Sequence, residues 1–338
     1  MRHIRIAVDA MGSDRAPYAE IGGVVLAVNE GYGEVILVGN EEVLRKELRR
    51  YKLRYPERIT IQNASEVIGM DEPPAISVRR KKDSSIMVAT ELVKEGKADC
   101  LVSAGNTGAV VCATTLVWGL IPGIERPGIA IIFPTLEGVC ILIDVGANID
   151  PKPIHLYQYA IMGTVYSKYL LGKDNPRVGL LNVGEEESKG TDFVKDTHQL
   201  LLRSKLNFIG NVEGGDIFRG KADVIVCDGF VGNVALKISE SLAYALIEFL
   251  RKHIKKSNLA KIGALFLKGT FKKLKKEIDY AEYGGAPLLG VDGVCTICHG
   301  ASSYWAIKNA LSFTFFSVKN DIKNHIREEI ETLGGELK

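Results

Sequence analysis

Short apolar runs alternate with longer amphipathic stretches along nearly the whole chain, and this alternation constrains the fold more than any other feature. Residues 5–9, 34–39, 59–62, 100–103, 128–134, 139–144, 177–182, 207–210 and 223–227 read as strands. Residues 19–30, 41–50, 84–95, 108–117, 155–170 and 195–202 carry the period of helices. Strands separated by helices predict an α/β fold, a mostly parallel sheet with helices on both faces. With 338 residues the chain is read as a single large α/β domain, 1–338, with an inserted helical hairpin at 234–280 and a polar helical tail at 320–338 that is expected to fray.

In such sheets ligands bind beyond the carboxyl ends of the strands. There the chain concentrates Gly, Asp, Asn and Ser, at 9–14, 103–108, 144–148, 182–184 and 228–233, which suggests one shared crevice. Turn chemistry alone explains these residue types equally well. It does not explain the near-repeat of strand, Asp or Ser, Gly, Asn and helix at 99–109 and 223–236. The first of these, Ser103-Ala104-Gly105-Asn106-Thr107-Gly108-Ala109, runs from a buried strand into a helix start. Unpaired N–H groups and the helix dipole favour an anion there, and small residues let it approach. Ser103, Gly105, Asn106 and Thr107 are therefore candidates to hold phosphate; a tight turn that binds nothing is the alternative.

A formal net charge of +2 argues against bulk nucleic-acid binding. The first residues have no secretory pattern, and no window reaches the roughly 18 uncharged apolar residues of a spanning helix. A cytoplasmic protein, not integral to a membrane, is expected. Cys295-Thr296-Ile297-Cys298-His299 spells a haem-attachment pattern, but it reads as a strand end, and no further Cys or His cluster would complete a metal site. No metal is expected.

From Arg251 to Lys276 ten basic residues stand with no acidic one, interleaved with Leu265, Phe266, Leu267 and Phe271 and broken at Lys268-Gly269-Thr270. A long amphipathic helix starting near Asn233, which could cap it, would lead into this basic segment. Two readings are compatible: stems that pack on a second copy of the chain, and an apolar tip that dips into an anionic membrane surface.

These segments, together with 9–17, 181–190, 210–214, 227–237 and Tyr283-Gly284-Gly285-Ala286, closely resemble bacterial phosphate acyltransferases, the acyl-carrier-protein:phosphate transacylases that begin phospholipid synthesis. The match runs nearly end to end. It departs at Ser13, where the family usually has Gly, and at Ala301, where a Ser follows His-Gly; Ser302 or Ser303 could stand in for that hydroxyl. The resemblance implies a fold related to phosphotransacetylases and the isocitrate dehydrogenase type. It also implies a homodimer at the inner face of the cell membrane, with acyl-ACP (long-chain) and inorganic phosphate as substrates and no cofactor. The acyl phosphate would pass to a membrane glycerol-3-phosphate acyltransferase.

That chemistry needs a held phosphate, a stabilised oxyanion and a departing thiolate. Phosphate is its own nucleophile, and the chain has no Gly-x-Ser-x-Gly elbow. Lys189 keeps its place in the family's Asn-x-Gly-x-Glu-x-x-Lys-Gly pattern and is the expected cationic partner, a solvated surface lysine being the alternative. Asn233 and Asn148 could donate to the oxyanion, and His299 could shuttle a proton near neutral pH. Asp228 and Asp9 could orient donors, and Asn182 and Glu186 join the substrate pocket. An NAD(P)-dependent hydroxyacid dehydrogenase is the rival reading, although no strand carries Gly-x-Gly-x-x-Gly into a helix. A non-enzymatic lipid- or ACP-binding scaffold is the third.

Overall fold

Among the described residues eleven strands join in one sheet: β1 (Arg5–Asp9), β2 (Glu34–Gly39), β3 (Ile59–Asn63), β4 (Cys100–Ser103), β5 (Gly128–Thr135), β6 (Gly138–Ile143), β7 (Val178–Leu181), β8 (Phe208–Val212), β9 (Val224–Val226), β10 (Ala286–Leu289) and β11 (Cys295–Ile297). The computed structural model describes residues 3–271 and 284–334. Residues 272–280 of the expected hairpin, Tyr283 and residues 335–338 lie outside the described residues. The spatial order is β3-β2-β1-β4-β11-β10-β5-β6-β9-β7-β8. The first five of these run parallel, and so do the last four. Between them β10 and β5 are each antiparallel to both neighbours, so the two parallel sets point in opposite directions. The seam where β10 meets β5 consists of two register pairs, Leu288 with Ile129 and Leu289 with Gly128.

The helices are α1 (Tyr18–Asn29), α2 (Glu41–Leu48), α3 (Pro74–Arg80), α4 (Ser85–Lys94), α5 (Thr107–Trp118), α6 (Pro153–Leu171), α7 (Asp192–Leu202), α8 (Asp216–Arg219), α9 (Gly229–Lys256), α10 (Asn258–Phe266), α11 (Tyr304–Lys319) and α12 (Ile322–Gly334). Strand side chains alternate between faces, and both faces are buried, which is why the strands read as continuous apolar runs. Ala7, Leu101, Ile129 and Leu142 pack with Ile86 of α4 and Val110 of α5. Ile6, Val8, Cys100 and Val102 point the other way, onto Ile21 of α1 and Ile307 of α11. Ile141, Ile143, Val224 and Val226 pack with Tyr159 of α6 and Ile326 of α12.

Three expectations are corrected. The tail is not a frayed polar end: Ile322, Ile326, Ile330 and Leu333 recur on one face of α12 and are buried. The basic segment breaks at Ser257, whose hydroxyl accepts from the Ala260 N–H, and again at Leu267, one residue before the expected Lys268-Gly269-Thr270, which is itself helical. The cap of α9 is Asp228, whose carboxylate accepts from the N–H groups of Phe230 and Val231; Asn233 lies one turn inside the helix. By length and composition α9 is apolar enough to cross a membrane, although Lys237 and Glu240 interrupt its apolar run.

Glu20 of α1 is 1% exposed, and neither carboxylate oxygen has a hydrogen-bond partner of good geometry, although Ser13 lies nearby. Burial, aided by the charge of Asp9, raises its pKa from 4.5 to about 7 against the smaller opposing pull of Ser13. The folded chain therefore binds more protons than the unfolded chain between those values, and stability falls as pH rises through that window. Glu20→Gln is expected to be more stable than the parent at pH 8, by up to about 3 kcal/mol, and equal to it at pH 4. Chemical denaturation at the two pH values measures the difference.

Candidate active site

A cleft of about 620 Å³ opens over the seam of the sheet. Ile129 and Ile131 of β5, Ala286 of β10 and Ile297 of β11 form its apolar floor. The first turn of α5 (Thr107 and Gly108) makes one wall, α9 (Asn233, Leu236 and Lys237) makes the other, and His299 stands at the end of β11. The cleft thus draws one wall from each parallel set.

Beneath the α5 wall the Ser103–Thr107 loop is fixed by its own hydrogen bonds. Asp9 is fully buried and accepts from Ser103 Oγ at 2.7 Å. Ser103 Oγ in turn accepts from the Gly105 N–H at 3.1 Å. A Cβ on Gly105 would sit 2.9 Å from the Asp9 carboxylate, so the loop closes this tightly only with glycine. Burial pushes the Asp9 carboxyl above the usual range, against the hydrogen bonds from Ser103 Oγ and the Met11 N–H. Asn106 caps α5 through Ala109 N–H, and its Nδ2 donates to the carbonyls of Gly69, Met70 and Glu72. The expected phosphate cradle is therefore narrower than its sequence suggested. Ser103, Gly105 and Asn106 are committed to building the loop, and only Thr107 of the four lines the cleft, with Gly108 beside it. Their two N–H groups belong to the first turn of α5, where intrahelical partners are lacking.

Across the cleft Asn233, Lys237 and Glu240 occupy successive turns of one face of α9. Lys237 Nζ lies 3.0 Å from Glu240 Oε2. At the end of β11 the Ala301 N–H donates to His299 Nδ1 at 3.1 Å. That contact uses Nδ1 as the acceptor, which leaves Nε2 to carry the ring hydrogen. His299 is thereby set as a donor rather than as a base. The contact at 301 comes from the backbone, so alanine serves there as well as serine, and Ser303 caps α11 instead. Two thiols line the cleft, Cys112 and Cys298. Burial raises both pKa values, that of Cys298 to about 12, so neither is a ready nucleophile.

The other expected residues lie elsewhere. Asn182 and Asp228 line a second cavity, beyond β7 and β9. Lys189 is exposed on the loop following β7 and makes no ion pair among the described residues; its carbonyl accepts from Asn182 Nδ2. Glu186 is exposed in the same loop, where its carbonyl accepts from Asn211 Nδ2. The order of the strands explains the split: the cleft takes residues from the carboxyl ends of both sets, Thr107 and His299 from one and Val145, Gly146 and Ala147 from the other, whereas Asn182, Glu186 and Lys189 follow β7, which lies beyond β6 and β9 from the seam. Asn148 also departs from its expected role: its Nδ2 donates to the Pro127 carbonyl and to Tyr159 Oη, leaving no donor for an oxyanion. Asp144, at the head of that loop, accepts from the N–H groups of Ile129, Gly146, Ala147 and Asn148. Lys237 went unassigned in the sequence, although its spacing of four from Asn233 places the two on one helix face.

Among the described residues no group of three His, Cys, Asp or Glu is placed to hold a metal ion. The family model described as "Fatty acid synthesis protein" matches residues 4–324. The phosphate acyltransferase of Geobacter sulfurreducens is 50% identical over 329 residues, covering 97% of this chain and 95% of that protein. That of Desulfitobacterium hafniense is 52% identical over 328 residues, covering 97% and 98%. Among solved structures, the EutD phosphotransacetylase of Staphylococcus aureus superposes with a TM-score of 0.63 at 16% identity, and a phosphotransacetylase of Streptococcus pyogenes with 0.64 at 19%, each covering 94% of both chains. Those two likenesses show the fold, which is of the phosphotransacetylase type. The sequence relatives reach further, and the chain belongs to the phosphate acyltransferase family.

Proposed function

We propose that the chain transfers a long-chain acyl group from acyl carrier protein to inorganic phosphate, releasing acyl phosphate and free carrier thiol as the first step of phospholipid synthesis. The observation that carries this reading is the cleft itself. In a member of this family, unpaired helix-start N–H groups and a lysine face one another over an apolar floor. The Thr107 and Gly108 N–H groups and Lys237 hold phosphate, helped by the α5 dipole. One phosphate oxygen attacks the thioester carbonyl carbon, and Asn233 Nδ2 donates to the oxyanion that forms. The C–S bond then breaks as the oxyanion collapses, the sulfur leaves as a thiolate to which His299 Nε2–H can donate a hydrogen bond, and the thiolate takes its proton from water. The protonated state of Cys112 and Cys298 favours this direct displacement over an acyl-enzyme. Lys189 takes no step in this scheme.

The protein acts as a homodimer at the inner face of the cell membrane, handing its product to a glycerol-3-phosphate acyltransferase there. Support comes from the end of α10, where Leu265, Phe266 and Leu267 are exposed (Phe266 at 84%) among Lys255, Lys256, Lys261 and Lys268. Phe271 is half-buried beyond them. Apolar side chains ringed by lysines suit an anionic bilayer surface. The reaction is tested with purified protein and palmitoyl-ACP. Free thiol is expected to appear only when phosphate is present, and hydroxylamine is expected to trap an acyl hydroxamate. No thiol release by the folded protein overturns the reading.

A further inference from the structure

We infer that the second cavity, on the far side of the first two turns of α9, receives the hydrocarbon end of the acyl group and sets the chain length the enzyme accepts; this rests on the acyl transfer proposed above. The cavity is about 450 Å³, with walls that include Leu180, Leu181, Phe193, Val194, Ile217 and Val231. The polar side chains at its rim are already engaged. Asn182 accepts from the Val183 N–H and donates to the Lys189 carbonyl. Thr191 caps α7 through the Val194 N–H, and Asp228 caps α9. A polar group entering here would give up water without finding a partner, whereas a methylene chain gains from every carbon it buries.

The cavity also connects with the cleft. A groove of about 770 Å³ crosses the outer face of α9, where Phe230, Val234, Ile238 and Leu242 follow one another at helical spacing. It shares Phe230 and Val234 with the second cavity. With the cleft it shares Gly146, Asn233 and Lys237. The three hollows thus adjoin one another around the helix, and an acyl group whose carbonyl lies at Asn233 would follow the apolar face of the groove from cleft to cavity. Val234, the next residue in sequence and about 100° further around α9, stands where the groove enters the cavity. Phe193 and Ile217 lie among the walls beyond it.

Val234→Trp tests the path, since residue 234 is exposed and a larger side chain there is accommodated without repacking the core. The variant is expected to lose about 100-fold in kcat/KM for a sixteen-carbon acyl-ACP, the order that follows when several methylenes lose their burial. With a two-carbon donor it is expected to stay within about threefold of the parent, because a single carbon beyond the carbonyl falls short of the junction. A parallel fall for both donors, or no fall for either, overturns the inference. Phe193→Ala, which opens the inner end, is the complementary variant should Val234→Trp not fold. It is expected to shift the preference for a twenty-carbon over a sixteen-carbon donor by about tenfold, and an unchanged ratio overturns the inference. If the parent turns over neither donor, the proposed reaction fails while the pocket is still decided by binding cis-parinaric acid, a fluorescent fatty acid. Binding by the parent that is lost in Val234→Trp upholds the pocket; no binding by the parent, or equal binding by both, overturns it.

Discussion

Asn233→Ala lowers kcat by about 100- to 1000-fold, the cost of removing one donor to a developing oxyanion, or roughly 3–4 kcal/mol. The fold is expected to survive intact. Residue 233 is exposed within α9, and alanine is the better helix former, so stability stays within about 0.5 kcal/mol of the parent. The split between the two measurements is the informative result. In the proposed geometry the oxyanion gains its full charge only during attack, so kcat falls while the phosphate requirement changes little. Steady-state rates at varied phosphate, with a thermal melt on the same sample, check both halves. A variant with normal kcat removes Asn233 from the chemistry.

Gly232→Ala, one residue earlier, is expected to act in the opposite way, through the fold. A Cβ at this position would overlap the Asp144 carbonyl oxygen, and it would lie 3.0 Å from Cys227 Sγ. Helix propensity alone predicts a gain of about 1 kcal/mol for alanine over glycine. Overlap with a backbone oxygen outweighs that gain, because the 144–148 loop is held by the four N–H groups on the Asp144 carboxylate and has no room to retreat. A loss of more than about 4 kcal/mol follows. Displacement of the start of α9 would remove Asn233 and Lys237 from the cleft as well. Denaturant titration of the purified variant measures the loss; a midpoint equal to the parent's shows that the loop can yield.

Much of the fold was legible because each buried strand is a compact apolar run with its own turn residues. The helices α3 and α11 went unassigned, α11 although it is sixteen residues long, and the strands that went unassigned were short. β10 has four residues including a proline and β11 has three, too few for a period to emerge. Neither the direction of a strand nor its place in the sheet leaves a mark in its composition, so the opposed orientation of the two parallel sets, and the position of β7 and its Lys189 loop beyond β6 and β9, were not legible. The roles of Asn106 and Asn148 were hidden for a related reason. Their carbonyl partners lie 34–37 and 21 residues away, so only the assembled fold shows the amides occupied. Two features were present in the pattern and passed over: the Asn233–Lys237 spacing, and the apolar face formed by Ile322, Ile326, Ile330 and Leu333.

The seam at β10 and β5 lies directly under the cleft, and its consequence is mechanical. A join of two rungs resists stretching in the plane of the sheet but offers little against torsion. Each parallel set, in contrast, is a rigid plate laced through its own ladders and clamped by helices. A small twist about the seam swings α5 and α9 apart like the handles of a clothes peg, and no hydrogen bond within either plate has to break. One apolar core runs under the seam, holding Leu101 of one set and Ile225 of the other, so such a twist leaves the hydrogen bonds of both plates intact and is limited by apolar contacts on that face.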